Sequence, residues 1–239
     1  MKITIINGTM RKNNSSTYNF IKTFLENLEG EKGITEFFLP KDMPNSCIGC
    51  SQCFGKGEDK CPHFESVNPI VTSLEDADII VLASPVYVFN VTGQMKTFLD
   101  HLAYRWYSHR PHPNMFNKVG IAFSTTAGAG LGQTLKTLTT QLNFWGTKRI
   151  FKFGQVVNGV EWNDIPQKIK INANKKLIKL AKKVSKTVKK IDRIPPRPFT
   201  VMFYYIMKMM SKSEWRVGTI DNDYWIKNGW LDKKKPWKK

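Results

Sequence analysis

Residues 78–100 read DIIVLASPVYVFNVTGQMKTFLD. Asp78–Ser84 is an unbroken apolar run of strand length, rich in β-branched residues, as a strand buried on both faces requires. Pro85 breaks it, and Met95, Phe98, Leu99 and Leu102 then recur at helical spacing. A buried strand, a loop and an amphipathic helix in so short a stretch are the repeating element of a βαβ unit.

The same alternation runs outward in both directions. Upstream, Lys2–Asn7 (KITIIN) ends at Gly8, and Phe20, Ile21, Phe24, Leu25 and Leu28 mark a helix that stops at Gly30. Ile34–Leu39 is a further strand ending at Pro40, a Cys-rich loop occupies residues 45–63, and Val67, Ile70, Val71 and Leu74 mark the next helix. Downstream come a strand at Val119–Ser124, a helix face of Leu131, Leu135, Leu138 and Leu142 closed by Gly146, and a strand at Thr147–Phe153. Five short apolar strands separated mostly by helices predict an α/β domain over residues 1–160. Its sheet should be parallel and flavodoxin-like, in the order 2-1-3-4-5 with helices on both faces. In that order a ligand crevice lies beyond the carboxyl ends of the first and third strands, so Gly8–Thr17 and Ser84–Gly93 should face one another.

Composition narrows the function classes. The chain has 239 residues, 41% of them hydrophobic and 23% charged, which excludes wholesale disorder. No run reaches the roughly 18 apolar residues of a membrane span. The apolar stretch in MKITIINGTM is too short for a secretory signal, so the chain reads as cytoplasmic. Its net charge is +18. Residues 1–150 hold 15 Lys+Arg against 12 Asp+Glu, and residues 151–239 hold 22 against 7. The charge therefore belongs to residues 161–239, read as a basic helical extension. One long amphipathic helix is expected over 164–191, a break at Pro195, Pro196 and Pro198, an apolar segment at Phe199–Met210, and a tail with Trp225, Trp230 and Trp237 among lysines. A solvated lysine face accounts for most of this charge. Peripheral contact with an anionic membrane and docking of an acidic electron donor such as ferredoxin are the partner readings. No specific nucleic-acid motif appears.

Three loops carry the candidate chemistry. Gly8–Thr17 (GTMRKNNSST) lies between a strand and a helix, where free N–H groups attract an anion. Thr9, Ser15, Ser16 and Thr17 offer hydroxyls, and Arg11 offers charge. Without a run of glycines this suits a single phosphate monoester. Past the strand end, Pro85, Val86, Tyr87, Phe89 and Asn90 suit a flat heterocycle with polar edges. Ser124, Thr125, Thr126 and Gly128, in the third loop, let a ligand approach the backbone.

Together these loops resemble the NADPH-dependent FMN reductase group of flavodoxin-fold oxidoreductases. That group's first loop, Gly-Ser-Pro-Arg-Lys then Asn-Gly-Asn-Thr, corresponds to Gly8-Thr9-Met10-Arg11-Lys12 then Asn13-Asn14-Ser15-Ser16. Its Ser-Pro-Val-Tyr and Gly-Gln-x-Lys elements stand at Ser84–Tyr87 and Gly93–Lys96. Met10 and Asn14 depart from the pattern, and Asp100-His101 replaces the usual Asp-Arg. The resemblance implies FMN, with its phosphate on Thr9, Arg11, Ser15, Ser16 and Thr17. It places the ring against Pro85, Val86, Tyr87, Phe89, Asn90 and the loop of Ser124, Thr125, Thr126 and Gly128. It also implies NAD(P)H as co-substrate, a small-molecule or protein electron acceptor, and a homo-oligomer. The flavin carries the chemistry, so no catalytic side chain is assigned. The alternative is a non-catalytic electron-transfer or redox-sensing flavoprotein.

All four cysteines lie close together as Cys47-x2-Cys50-x2-Cys53-x7-Cys61. This spacing suits a chain wrapping a cubane cluster, zinc being the rival and free thiols the third reading. It resembles the iron–sulfur flavoproteins, a branch of the same fold, and so implies a [4Fe-4S] cluster at these four residues. His63 reads as a loop histidine, and His101, His109 and His112 form no nucleophile constellation. The ending Tyr224–Leu231 resembles that of clostridial-type members and implies an extension packed on the core or on a second subunit.

Overall fold

The computed structural model describes residues 1–238. Five strands form one parallel sheet: β1 (Lys2–Asn7), β2 (Gly33–Phe38), β3 (Ile79–Pro85), β4 (Val119–Thr126) and β5 (Arg149–Val156). Their order is β2-β1-β3-β4-β5, as the alternation predicts. β1 sits between β2 and β3, with Ile5 level with Glu36 on one side and Val81 on the other.

Helices cover both faces. One face carries α3 (Phe64–Asp76), α4 (Gly93–His101) and α5 (Leu131–Phe144), which bury Ile70, Leu74, Phe98, Leu138 and Leu142 on Ile6, Ile80, Leu82 and Ala122. The other carries α1 (Ser16–Glu26) and α6 (Gln167–Val188). Phe20 and Phe24 join Ala173, Leu177, Ala181 and Val184 over Ile3, Ile5, Val81, Ile121 and Phe123. Burial on both faces explains why the central strands are continuously apolar. It also makes α6 a layer of the sheet domain: its buried stripe is core, while its lysines face solvent.

Beyond the proline break, α7 (Pro198–Ser211) and α8 (Ile220–Lys227) close the chain. Tyr204, Met207, Trp225 and Trp230 form a separate buried cluster with Tyr107 and Phe116. The Tyr204 hydroxyl donates to the Trp230 and Lys234 carbonyls, and the Trp225 indole donates to the His109 carbonyl at 2.8 Å. The extension therefore packs on the segment between α4 and β4. No helix among the described residues is long and apolar enough to cross a membrane.

Within that segment burial, aided by the Arg105 charge, pushes His112 down to about 4, although Glu75 lies 3.7 Å away. The folded state thus keeps His112 neutral while the unfolded chain takes up its proton below about 6.5. Stability should fall as pH drops from 6.5 toward 4, by as much as about 3 kcal/mol. Glu75, raised by burial, works in the opposite sense. Urea unfolding across this range should show the fall, and His112→Gln should flatten it.

Candidate functional site

Gly8 brings the first two loops together. Its N–H donates to the Ala83 carbonyl at 2.7 Å, and its own carbonyl accepts from Thr92 Oγ1 at 2.8 Å. A Cβ on Gly8 would stand 2.8 Å from that hydroxyl, so only glycine permits the approach. Gly8–Thr17 and Ser84–Gly93 therefore do face one another at the point where the strand order reverses.

Between them lies a crevice of about 530 Å³ lined by Thr9, Arg11, Ser15, Ser16, Pro85, Val86, Tyr87, Thr125, Thr126, Ala127, Val157, Gly159 and Val160. Six of its walls carry hydroxyls and none carries a carboxylate. Ser15 caps α1, accepting from the Tyr18 N–H at 3.4 Å. Thr17 is buried and points away, its hydroxyl 2.6 Å from Thr125 Oγ1, which also lies 3.0 Å from Ser16 Oγ. Arg11 is held at the rim by Glu161 at 3.1 Å and the Val160 carbonyl at 3.2 Å.

The second loop turns back on itself. Tyr87 and Asn90 exchange backbone hydrogen bonds of 2.8 and 3.0 Å around Val88 and Phe89, both left-handed at φ 45° and 62°. A β-branched residue in that region is strained, and such strain collects at ligand sites. The turn exposes Tyr87, Val88 and Phe89 beside the crevice. Asn90 Oδ1 instead accepts from the Thr137 hydroxyl at 2.9 Å. Ser124 is fully buried, with an unpartnered hydroxyl. Thr126 Oγ1 holds the third loop closed, donating to the Ala129 carbonyl and accepting from the Gly128 N–H. Ala127 belongs to the third loop, whereas Val157, Gly159 and Val160 are walls that sequence reasoning missed. Their one signal is topological, since the loop after β5 emerges at the same sheet edge.

A second cavity of about 450 Å³ gathers all four cysteines, with Phe54, His63, Asp100 and His101. The chain turns through left-handed Gly49, Ser51 and Gly57 and the single helical turn α2 (Gln52–Gly55). Burial, with the neighbouring Cys61 and Cys47 thiols, pushes the Cys53 thiol up. His101 Nε2 donates to the Asn45 carbonyl at 3.1 Å, while Nδ1 lies 4.0 Å from Cys61 Sγ. Burial holds His101 below its ordinary range. The rings of His63 and His101 meet edge-on at 5.4 Å, and His63 Nδ1 is buried without a partner. Four soft sulfur donors and two imidazoles are the donor set of a transition-metal pocket.

The extension reaches this loop. Arg110, 2% exposed, donates to the Cys53 carbonyl, to Glu58 Oε2 at 3.2 and 3.3 Å, and to Asp221 of α8. Asp221 also accepts from Arg216 at 3.0 Å and pairs with His109 at 2.6 Å. Burial pushes the Asp221 carboxyl up, but the His109 hydrogen bond and the surrounding cations outweigh it and hold the group low.

The chain is similar to known proteins in sequence and in fold. The family model of NADPH-dependent FMN reductases matches residues 1–159. An iron-sulfur flavoprotein of Archaeoglobus fulgidus is 27% identical over 233 residues, covering 97% of this chain and 100% of the relative. Another, from Methanocaldococcus jannaschii, is 37% identical over 135 residues, 56% of this chain and 66% of its own. An FMN-dependent NADH-azoreductase from Bacillus anthracis, solved in complex with FMN, matches with a TM-score of 0.59 at 16% identity, covering 77% of this chain and 100% of that one, a likeness of fold. The family match spans the whole sheet and every crevice wall but Val160, and on that ground the chain belongs to the NADPH-dependent FMN reductase family.

Proposed function

We propose that this chain is an FMN-dependent NAD(P)H oxidoreductase that passes electrons from a reduced nicotinamide or protein carrier to a small-molecule or protein acceptor. The observation that carries the reading is the carboxylate-free, hydroxyl-lined crevice beneath α1, walled by Pro85, Val86 and Tyr87. Thr9, Ser15 and Ser16, with the N-terminal N–H groups of α1, would hold the phosphate, and Arg11 would share its charge between that phosphate and Glu161. Thr17 would act from below, fixing Thr125. Pro85, Val86, Tyr87 and the loop of Ser124, Thr125, Thr126 and Gly128 would hold the ring, with Phe89 exposed at its edge and Asn90 bracing the turn. Bound flavin supplies hydride and single-electron chemistry itself, so these residues bind, orient and exclude water.

The four-cysteine cavity supports a second centre. Cys47, Cys50, Cys53 and Cys61 would hold a [4Fe-4S] cluster, which supplies one-electron chemistry. To the same proposal belong a homo-oligomeric state, a cytoplasmic setting and an acidic carrier such as ferredoxin docking on the basic helices.

Protein purified anaerobically should be yellow-brown, release about one FMN per chain on denaturation, and bleach on adding NADH or NADPH. Absence of FMN after reconstitution would overturn the flavin reading. FMN without iron and sulfide would overturn only the cluster.

A further inference from the structure

We propose that α7 and the cationic cavity at its start dock the chain on an anionic phospholipid surface, with headgroup phosphates on Arg149, Lys152 and Arg197 and the acyl boundary on Met202, Tyr205, Ile206 and Met209. A cavity of about 1020 Å³ opens between β5, the second half of α5 and the proline break, and its walls hold those three cations and no carboxylate. Arg11, Arg105, Arg110 and Arg216 each pair with a carboxylate, but Arg149, Lys152 and Arg197 form no ion pair among the described residues. Arg149 donates to the Lys148 and Pro195 carbonyls at 2.7 and 3.1 Å, and Arg197 donates to Asn143 Oδ1. Neutral acceptors thus fix both guanidinium forks and leave their charge and remaining N–H groups for a phosphate. Burial lowers the pKa of both, and the Arg149 charge lowers that of Arg197 further, so a bound anion would relieve a repulsion that the fold leaves standing.

The cavity adjoins an apolar helix face. Pro198 lines it and is the first residue of α7. From Pro198, positions 202, 205, 206 and 209 follow on one face at helical spacing. Met202, Tyr205, Ile206 and Met209 are 37–69% exposed there, whereas Thr200, Tyr204, Met207 and Ser211 on the opposite face are buried. A surface helix ordinarily turns polar residues to water, and one that is apolar on both faces calls for a second apolar neighbour. Lys235 stands 5.7 Å from the Tyr205 ring, and exposed Lys212 ends the helix. An apolar stripe flanked by cations is the pattern of a helix that lies flat in the headgroup layer. A second copy of the chain would bring the same cations and no anion to meet them. A protein interface covers about 20–30 residues on each side, whereas this stripe is about 16 Å of a single helix.

Cosedimentation of the full-length chain with vesicles of phosphatidylcholine, with and without phosphatidylglycerol, is the test. The chain should bind only vesicles that contain phosphatidylglycerol, and should leave them as salt screens the headgroups. Arg149→Gln with Lys152→Gln should weaken binding at least tenfold. Met202→Ser with Met209→Ser should do the same at unchanged charge, and at an unchanged thermal midpoint, because both side chains are exposed. Lys175→Gln with Lys179→Gln removes equal charge from the solvated face of α6 and should cost less than twofold. Equal losses from the two charge-removing pairs would reduce the contact to net charge and overturn the proposal. So would vesicle binding that ignores the two serines, inorganic phosphate held at the arginines of a chain that binds no vesicles, or a dimer that the serines dissociate in such a chain.

Discussion

Arg110→Met should destabilise the protein by about 3–5 kcal/mol and loosen the cysteine loop from the helices that follow the proline break. Arg110 is almost fully buried and answers to Asp221, Glu58 and the Cys53 carbonyl. Methionine keeps much of the stem's volume, so the loss is electrostatic. Asp221 would retain Arg216 and His109, but the Cys53 carbonyl would lose its buried donor and Glu58 its closest cation in this network. Removing one member of a buried ionic network costs far more than an exposed pair contributes. Two measurements separate the local from the global effect. The urea midpoint should fall, and below that midpoint Cys53 should react faster with a disulfide reagent. A chain that lost stability with Cys53 as protected as before would show that the network props α8 and not the loop. Asp221→Asn should act in the same direction and more weakly, since an amide still accepts from Arg110.

This network marks where legibility in the sequence ended. The five strands were legible because burial on both faces leaves little choice but a continuous run of Ile, Val, Leu and Ala, as in Ile79–Ala83. The confrontation of Gly8–Thr17 with Ser84–Gly93 followed from strand order alone. Short local spacing also announced the cysteine loop. Charge misdirected attention in residues 161–239. The lysines of α6 are solvated, and the extension's charged contribution to the cysteine loop is Asp221, delivered 111 residues after its partner Arg110. No periodicity reports a contact of that span. His101 was visible as a departure from the expected Asp-Arg and as a histidine outside any nucleophile constellation, and its contact with Cys61 needed the fold. Val157, Gly159 and Val160 carry no chemistry of their own and become a wall only because β5 ends beside β4.

Gly130→Val should lower FMN affinity about a hundredfold while the fold survives. Gly130 has φ +85°, and a Cβ there would stand 2.7 Å from Phe89 Cα and from Val86 Cγ1, and 3.1 Å from the Phe89 carbonyl carbon. The nearest obstacle is backbone, which cannot swing aside as a side-chain tip would. The second and third loops would have to part, and Val86 and Phe89 lie in the turn proposed to flank the flavin ring. A side chain at positive φ adds strain, so a global cost of about 1–3 kcal/mol is expected as well. A hundredfold loss of affinity corresponds to about 2.8 kcal/mol. Gly132→Ala is the matched control: it sits two residues later, in the first turn of α5, and a Cβ there meets nothing within 4 Å. Titrating FMN into the flavin-free proteins and following the quenching of its fluorescence gives both affinities, and thermal unfolding of the same samples gives the structural cost. If Gly130→Val binds FMN as tightly as Gly132→Ala, the close approach of these loops does not hold the ring, and the hydroxyl-lined end of the crevice must carry the binding unaided.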